Sequence, residues 1–233
     1  MGLIRMGPPQ KLIEKLAHSF EIQNFVETGT YHGGTALWAT SIFENVLTIE
    51  SSSELHRQLI NKHGHTPKLE LIFGDSREKL EEITHSVKTP TVFWLDAHWS
   101  GGETSGATDQ CPLLEELEII QSFSSDTYLL IDDARLFLSP PQPPHDVDQW
   151  PSISQIIGIL RAHSPNDYIV VIEDCIISVP AHAKPLLVSY CQAVNQEAWE
   201  AYSAKLKTSN FMKGARRLGS SFIRNINRAQ SNS

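Results

Sequence analysis

Seven short apolar runs, rich in β-branched and aromatic residues, punctuate the chain: NFVET (24–28), VLTIE (46–50), LELIF (69–73), TVFWLD (91–96), TYLLID (127–132), YIVVIE (168–173) and CIISVP (175–180). Each is too short for a helix and lacks strict polar alternation, which predicts strands buried on both faces. Longer amphipathic stretches lie between the first six, at 35–43, 52–64, 77–87, 112–123 and 152–164. In PLLEELEII, apolar Leu113, Leu114, Leu117 and Ile120 form one helical face, which predicts that Glu115 and Glu116 face solvent or the positive end of the helix. Strand–helix alternation of this kind predicts a doubly wound α/β sheet. The last two runs break the rhythm. Only Asp174 separates them, too little for a parallel crossover, so they predict an antiparallel hairpin closing a set of five parallel strands.

Two irregular stretches follow predicted strands: HWSGGETSGATDQC (98–111) and the proline-rich LSPPQPPHDVDQWP (138–151). In an open α/β sheet, ligands sit outside the carboxyl ends of the strands, and both stretches leave such ends. They are either substrate covers or plain surface connections. In the first, Trp99 is placed either to stack on a flat ligand or to anchor its loop.

Composition narrows the class. Of 233 residues, 40% are hydrophobic and 20% charged, which excludes a disordered or collagenous chain. No apolar run is long enough to span a bilayer, and the first twenty residues hold no signal-type apolar core. The three cysteines, Cys111, Cys175 and Cys191, form no CxxC and predict neither a disulfide framework nor a zinc knuckle. A reducing, cytoplasmic setting is expected. The net charge of −8 divides unevenly: residues 201–233 carry +7 and the remainder −15. An acidic body argues against nucleic acid as partner. A domain over 1–185 followed by a basic, helical extension over 186–233 is the expected organisation.

The chemistry-bearing residues cluster at predicted strand ends. The first strand runs into Glu27-Thr28-Gly29-Thr30-Tyr31-His32-Gly33-Gly34, an E-x-G-x-x-x-G turn into a helix. Glycines there permit a sharp turn and close approach to a ligand. Glu27 stands where a nicotinamide-binding G-x-G-x-x-G has its first glycine, and a carboxylate suits a cationic ligand group better than a pyrophosphate. Glu50, followed by Ser51, ends the second strand and is placed either for ribose hydroxyls or for a helix start. Asp75 and Ser76 follow the third, where Asp75 serves an adenine amine, the helix cap, or both.

In that order, these features resemble the class I methyltransferases that use S-adenosylmethionine. The resemblance covers residues 22–180. It implies a Rossmann-like sheet of order 3-2-1-4-5-7-6, with Gly29, Thr30, Tyr31 and Gly33 beside the methionine part, Glu50 and Ser51 at the ribose, and Asp75-Ser76 at the adenine.

A second set is acidic: Asp96 after the fourth strand, Asp132 and Asp133 after the fifth. Three carboxylates at neighbouring strand ends repel unless a cation joins them, and an all-oxygen set suits Mg²⁺. The alternative is that Asp132 caps the next segment and Asp133 is solvated. Arg135 then either pairs with this cluster or binds an anionic acceptor. The set is similar to that of the metal-dependent O-methyltransferases, of catechol and macrocin type. That resemblance implies a divalent cation on Asp96, Asp132 and Asp133 and a small-molecule hydroxyl acceptor, sugars included. The chain departs from it in lacking a long N-terminal helical region. Asp96 or His98 is the expected proton acceptor, the imidazole being suited to neutral pH. Two other classes stay open: a non-catalytic binding or scaffold protein on the same fold, and a nucleotide-dependent dehydrogenase.

Overall fold

In the computed structural model, residues 7–99, 108–123 and 125–206 are described. Residues 100–107 of the glycine-rich stretch and the basic tail from 207 lie outside them. The chain divides into two compact units, 1–187 and 188–233.

The first unit opens with helix α1 (Gln10–Ser19), which buries Leu12, Ile13, Leu16 and Ala17. Strands and helices then alternate: β1 (Asn24–Thr28), α2 (Gly34–Ala39), β2 (Asn45–Glu50), α3 (Ser53–His63), β3 (Leu69–Phe73), α4 (Ser76–Ser86), β4 (Thr91–Leu95), α5 (Leu113–Ile120) and β5 (Thr127–Ile131). After β5 come a single turn α6 (Arg135–Leu138), a 3₁₀ turn at Val147–Gln149, α7 (Ile153–His163), and strands β6 (Tyr168–Ile172) and β7 (Cys175–Val179). The seven strands form one sheet in the order β3-β2-β1-β4-β5-β7-β6. In the second unit, residues 188–206 are helical. No helix among the described residues is long and apolar enough to cross a membrane.

Neighbours from β3 to β5 pair in parallel, and β7 pairs antiparallel with both β5 and β6. Six strands therefore run in one sense and only β7 is reversed, one more parallel strand than the sequence reading expected. The reversal is made by two residues, not one. Glu173 and Asp174 both take positive φ, 52° and 63°, the backbone of a two-residue primed hairpin turn.

The central strands explain why the runs lack alternation. Every residue of β1, β4 and β7 is buried. Helices cover both faces of the sheet centre, so each residue of these strands meets apolar neighbours whichever way it points. The parallel register sets Thr28 beside both Ile49 and Leu95, and Leu95 beside Ile131. The carboxyl ends of β2, β1, β4 and β5 thus form one continuous edge, and the loops that leave it carry the chemistry.

Candidate active site

At the end of β1, Gly29 has φ +83°, and a Cβ built on it would lie 2.2 Å from the Asp96 carbonyl oxygen. The Asp96 amide donates to the Thr28 carbonyl at 3.1 Å. The close approach that demands glycine here is thus between two backbone segments of the site. Thr30 is buried and its hydroxyl pairs with that of Thr48 at 2.7 Å. Tyr31 is exposed, with φ 48°, and Gly33, φ 77°, ends the turn in front of α2.

Glu27 is buried beneath this turn. Its Oε2 accepts from the Thr48 hydroxyl at 2.6 Å. Burial pushes its carboxyl up to about 8, aided by the charges of Asp96 and Glu50 and opposed by hydroxyls including that of Thr48. Glu50, also buried, uses both oxygens: Oε2 accepts the Tyr31 amide at 2.9 Å and Oε1 the Ser52 amide at 2.8 Å. This carboxylate shapes the turn after β1 and the start of α3, and each oxygen keeps a lone pair for a further donor. Ser51 beside it is exposed.

Asp75 caps α4 through the Arg77 amide and grips the Arg77 guanidinium with both oxygens. The Arg77 bond holds its carboxyl below the usual range. Ser76, the first residue of α4, is buried beside it.

Asp96 leaves β4 with its side chain one-third exposed, whereas His98 is almost enclosed. The His98 Nε2 lies 2.9 Å from Asp133 Oδ2, and its Nδ1 3.7 Å from Asp96 Oδ1. Burial lowers the His98 pKa, but the Asp133 bond and the charge of Asp96 outweigh it and leave it raised. Asp96 is pushed up to about 6, first by burial, with His98 countering and Asp133 adding to the rise. Asp132 is pushed up to about 8, by burial and by its two aspartate neighbours. Asp133 goes the other way: burial raises it, and bonds from His98 and Arg135 more than offset that.

The expected Mg²⁺ set is not supported by this geometry. Asp133 gives one oxygen to His98 and the other to Arg135. Asp132 turns Oδ1 back onto the Asp133 amide at 2.7 Å, so it neither caps the next segment nor faces outward. Among the described residues, no group of three or more His, Cys, Asp or Glu side chains is arranged to hold a metal ion. The residues present do not fit a divalent cation.

Several site residues escaped the sequence reading. Gln110, 4% exposed, ties the two irregular stretches together. Its Oε1 accepts from the Asp146 amide and from Trp150 Nε1, both at 3.0 Å, and its carbonyl accepts the Trp99 amide at 2.8 Å. Around it, His145 packs between the rings of Trp99 and Trp150, and Trp150 touches His98 edge-on. Trp150 is buried and props this wall; Trp99 is its more accessible ring.

Glu116, expected at solvent or at the positive end of the helix, lies in the first turn of α5 and is 1% exposed. It lines a small pocket with Leu95, His98, Cys111, Ile131 and Phe137. Burial pushes it up to about 7, and its Oε1 has no hydrogen-bond partner. Cys111 in the same pocket is pushed up to about 12 by burial, so its thiol stays protonated and is no nucleophile.

The Glu27 environment makes a prediction about pH. Its pKa is near 4.5 when unfolded and about 8 when folded. The folded state therefore holds the extra proton, and stability falls as pH rises from about 4.5 to 8. Glu27→Gln should remove about 2–4 kcal/mol of that fall, read as a flatter dependence of Tm on pH. An unchanged pH profile would place the proton elsewhere.

No protein-family model matches the chain, and no curated protein matches it. Solved structures do. Human methyltransferase-like protein 13 in complex with SAH aligns over 80% of this chain and 90% of that one, at 16% identity and a TM-score of 0.50. A candidate caffeoyl-CoA O-methyltransferase from Staphylococcus aureus aligns over 76% and 86%, at 17% identity and 0.47. The methyltransferase domain of bacterial CtHen1 aligns over 73% and 97%, at 7% identity and 0.46. Strand order, the reversed β7 and the human structure together define the fold as the Rossmann-like fold of class I methyltransferases.

Proposed function

We propose that this protein transfers a methyl group from S-adenosylmethionine to the hydroxyl of a small molecule, sugars included. The observation that carries the reading is the carboxylate-bearing edge of the sheet, where Glu50 is drawn onto the turn after β1 by the Tyr31 amide. The residues suit the donor. Glu50 keeps acceptor lone pairs for ribose hydroxyls, Glu27 supplies a buried carboxyl for a cationic group, and Gly34 faces open space, with nothing within 4 Å of an added Cβ. Asp75 and Ser76 stand at the adenine end, where Asp75 is shared with Arg77.

The donor brings an electrophilic methyl on a sulfonium; the protein brings orientation and a proton acceptor. Asp96, the more exposed of the pair, meets the acceptor hydroxyl, and His98 behind it holds the proton. The Nε2–H of His98 donates to Asp133, which leaves Nδ1 as the basic atom, turned toward Asp96. The hydroxyl-bearing molecule lies against Trp99, on the wall that Gln110 and Trp150 support. No divalent cation enters this reading.

Calorimetry with SAH tests the donor site. Glu50→Ala should weaken binding by about 1–3 kcal/mol, the loss of a charged hydrogen-bond partner, or roughly 5- to 150-fold. Equal affinity in the variant would remove Glu50 from the donor site. Thermal stabilisation by NAD and not by SAH would replace the donor altogether.

A further inference from the structure

We infer that Arg135 is a built-in counter-cation: its guanidinium neutralises the acidic end of β5, so that the site operates without a divalent metal. The inference rests on the proposal that the Asp96–Asp133 edge is the acceptor end of the site.

The argument begins with the backbone. Asp133 takes φ 55°, a left-handed conformation that re-aims its side chain toward His98 and Arg135. The chain then starts α6, and Arg135 reaches back: Nη1 donates to Oδ1 of Asp133 and to Oδ2 of Asp174. Asp174 comes from the β6–β7 turn, and its side chain is 3% exposed. It also fixes the base of α6, since its Oδ1 accepts the Arg135 amide at 3.0 Å and its carbonyl the Ala134 amide at 2.8 Å. Arg135 is thus held by main chain and by two carboxylates.

A buried carboxylate needs an opposite charge or full hydrogen bonding. At Asp133 both oxygens are satisfied by cation-capable donors, Arg135 on one side and His98 on the other. A metal ion would have to displace one of them and then lie against a guanidinium that is always charged. Like charges at that spacing repel, and removing Arg135 would strand Asp174 as well. Asp174 and Arg135 therefore act as positioning residues. They hold Asp133, and Asp133 holds His98 by Nε2 with Nδ1 toward Asp96.

The test is Mn²⁺ binding to the full chain, followed by calorimetry and by the electron paramagnetic resonance of the free ion. Wild type should show no saturable site. Arg135→Met, which removes the cation and frees two carboxylates, should gain a saturable Mn²⁺ site that wild type lacks, at least roughly tenfold above the non-saturable background. Arg135→Lys, which keeps a cation in place, should restore the wild-type result, a rescue that loss of packing alone would not show. SAH affinity measured on the same samples reads the donor site independently. Chelation by EDTA should leave methyl transfer unchanged.

A saturable wild-type Mn²⁺ site that is lost in Asp133→Asn overturns the inference. So does an Arg135→Met protein that binds SAH but gains no Mn²⁺ affinity. If Arg135→Met fails to fold, the wild type and Asp133→Asn decide alone: no saturable Mn²⁺ binding in wild type supports the inference, and binding that Asp133→Asn abolishes overturns it.

Discussion

Gly29→Ala should cost about 2–5 kcal/mol, a large share of the stability of a marginally stable domain. Two penalties add. The backbone sits at φ +83°, where a Cβ costs roughly 1–2 kcal/mol. The new Cβ would also lie 2.2 Å from the carbonyl oxygen of Asp96, and the obstacle is main chain, which cannot swing aside as a side chain does. Overpacking of this kind adds about 1–3 kcal/mol. The relief route is to part β1 from β4 at their carboxyl ends, which breaks the Asp96 amide bond to Thr28. Gly34→Ala is the matched control five residues on. It meets nothing within 4 Å and begins a helix, so it should be neutral or slightly stabilising. Chemical denaturation of the two variants compares them directly, and equal stability would mean that the turn relaxes at little cost.

The second large effect concerns turnover. His98→Gln should lower the methyl-transfer rate by roughly 10²- to 10⁴-fold, the usual contribution of a positioned base, while SAH affinity stays within about twofold of wild type. Glutamine is chosen because its amide still donates to Asp133, preserving the bond that His98 makes at 2.9 Å. It cannot take a proton. A rate drop with intact donor binding separates the base from a structural role; SAH released on a panel of hydroxyl compounds is the readout. If the variant turns over at the wild-type rate, the proton goes to Asp96 and His98 only orients it.

What could be read from the chain divides by the range of the interaction. The seven strands were legible because burial on both faces writes itself into contiguous apolar residues, as in β4 and β7. The turn after β1 and Glu50 were legible because position at a strand end is a local property. Helix α1 went unread as an element, although its buried positions Leu12, Ile13, Leu16 and Ala17 follow helical spacing. Glu116 was legible at the positive end of α5 but not in its burial, because helical spacing shows which residues share a face but not how far the neighbouring layer extends over it. Gln110 carries no signal at all: an amide is ordinary until Asp146 and Trp150, some forty residues on, are brought to it. The acidic cluster was legible in part: the three aspartates at strand ends and Arg135 beside them are visible in sequence, but the second partner of Arg135, Asp174, comes from a hairpin 39 residues away.

The β6–β7 hairpin has a consequence for how the site comes into being. In the sheet, β7 lies between β5 and β6, although it is the last strand to be made. A growing chain that has emerged only as far as β5 can assemble the five-strand core and the whole donor-facing edge from consecutive βα units. It lacks Asp132, Asp133 and Arg135 as well as Asp174, so the cluster they form is absent at that stage. The acceptor end is therefore completed only when the hairpin closes and β7 adds to the edge of β5, a long-range pairing of the kind that slows folding. Synthesis from the N-terminus thus delivers the residues proposed to hold the donor before the hairpin that completes the proposed acceptor end.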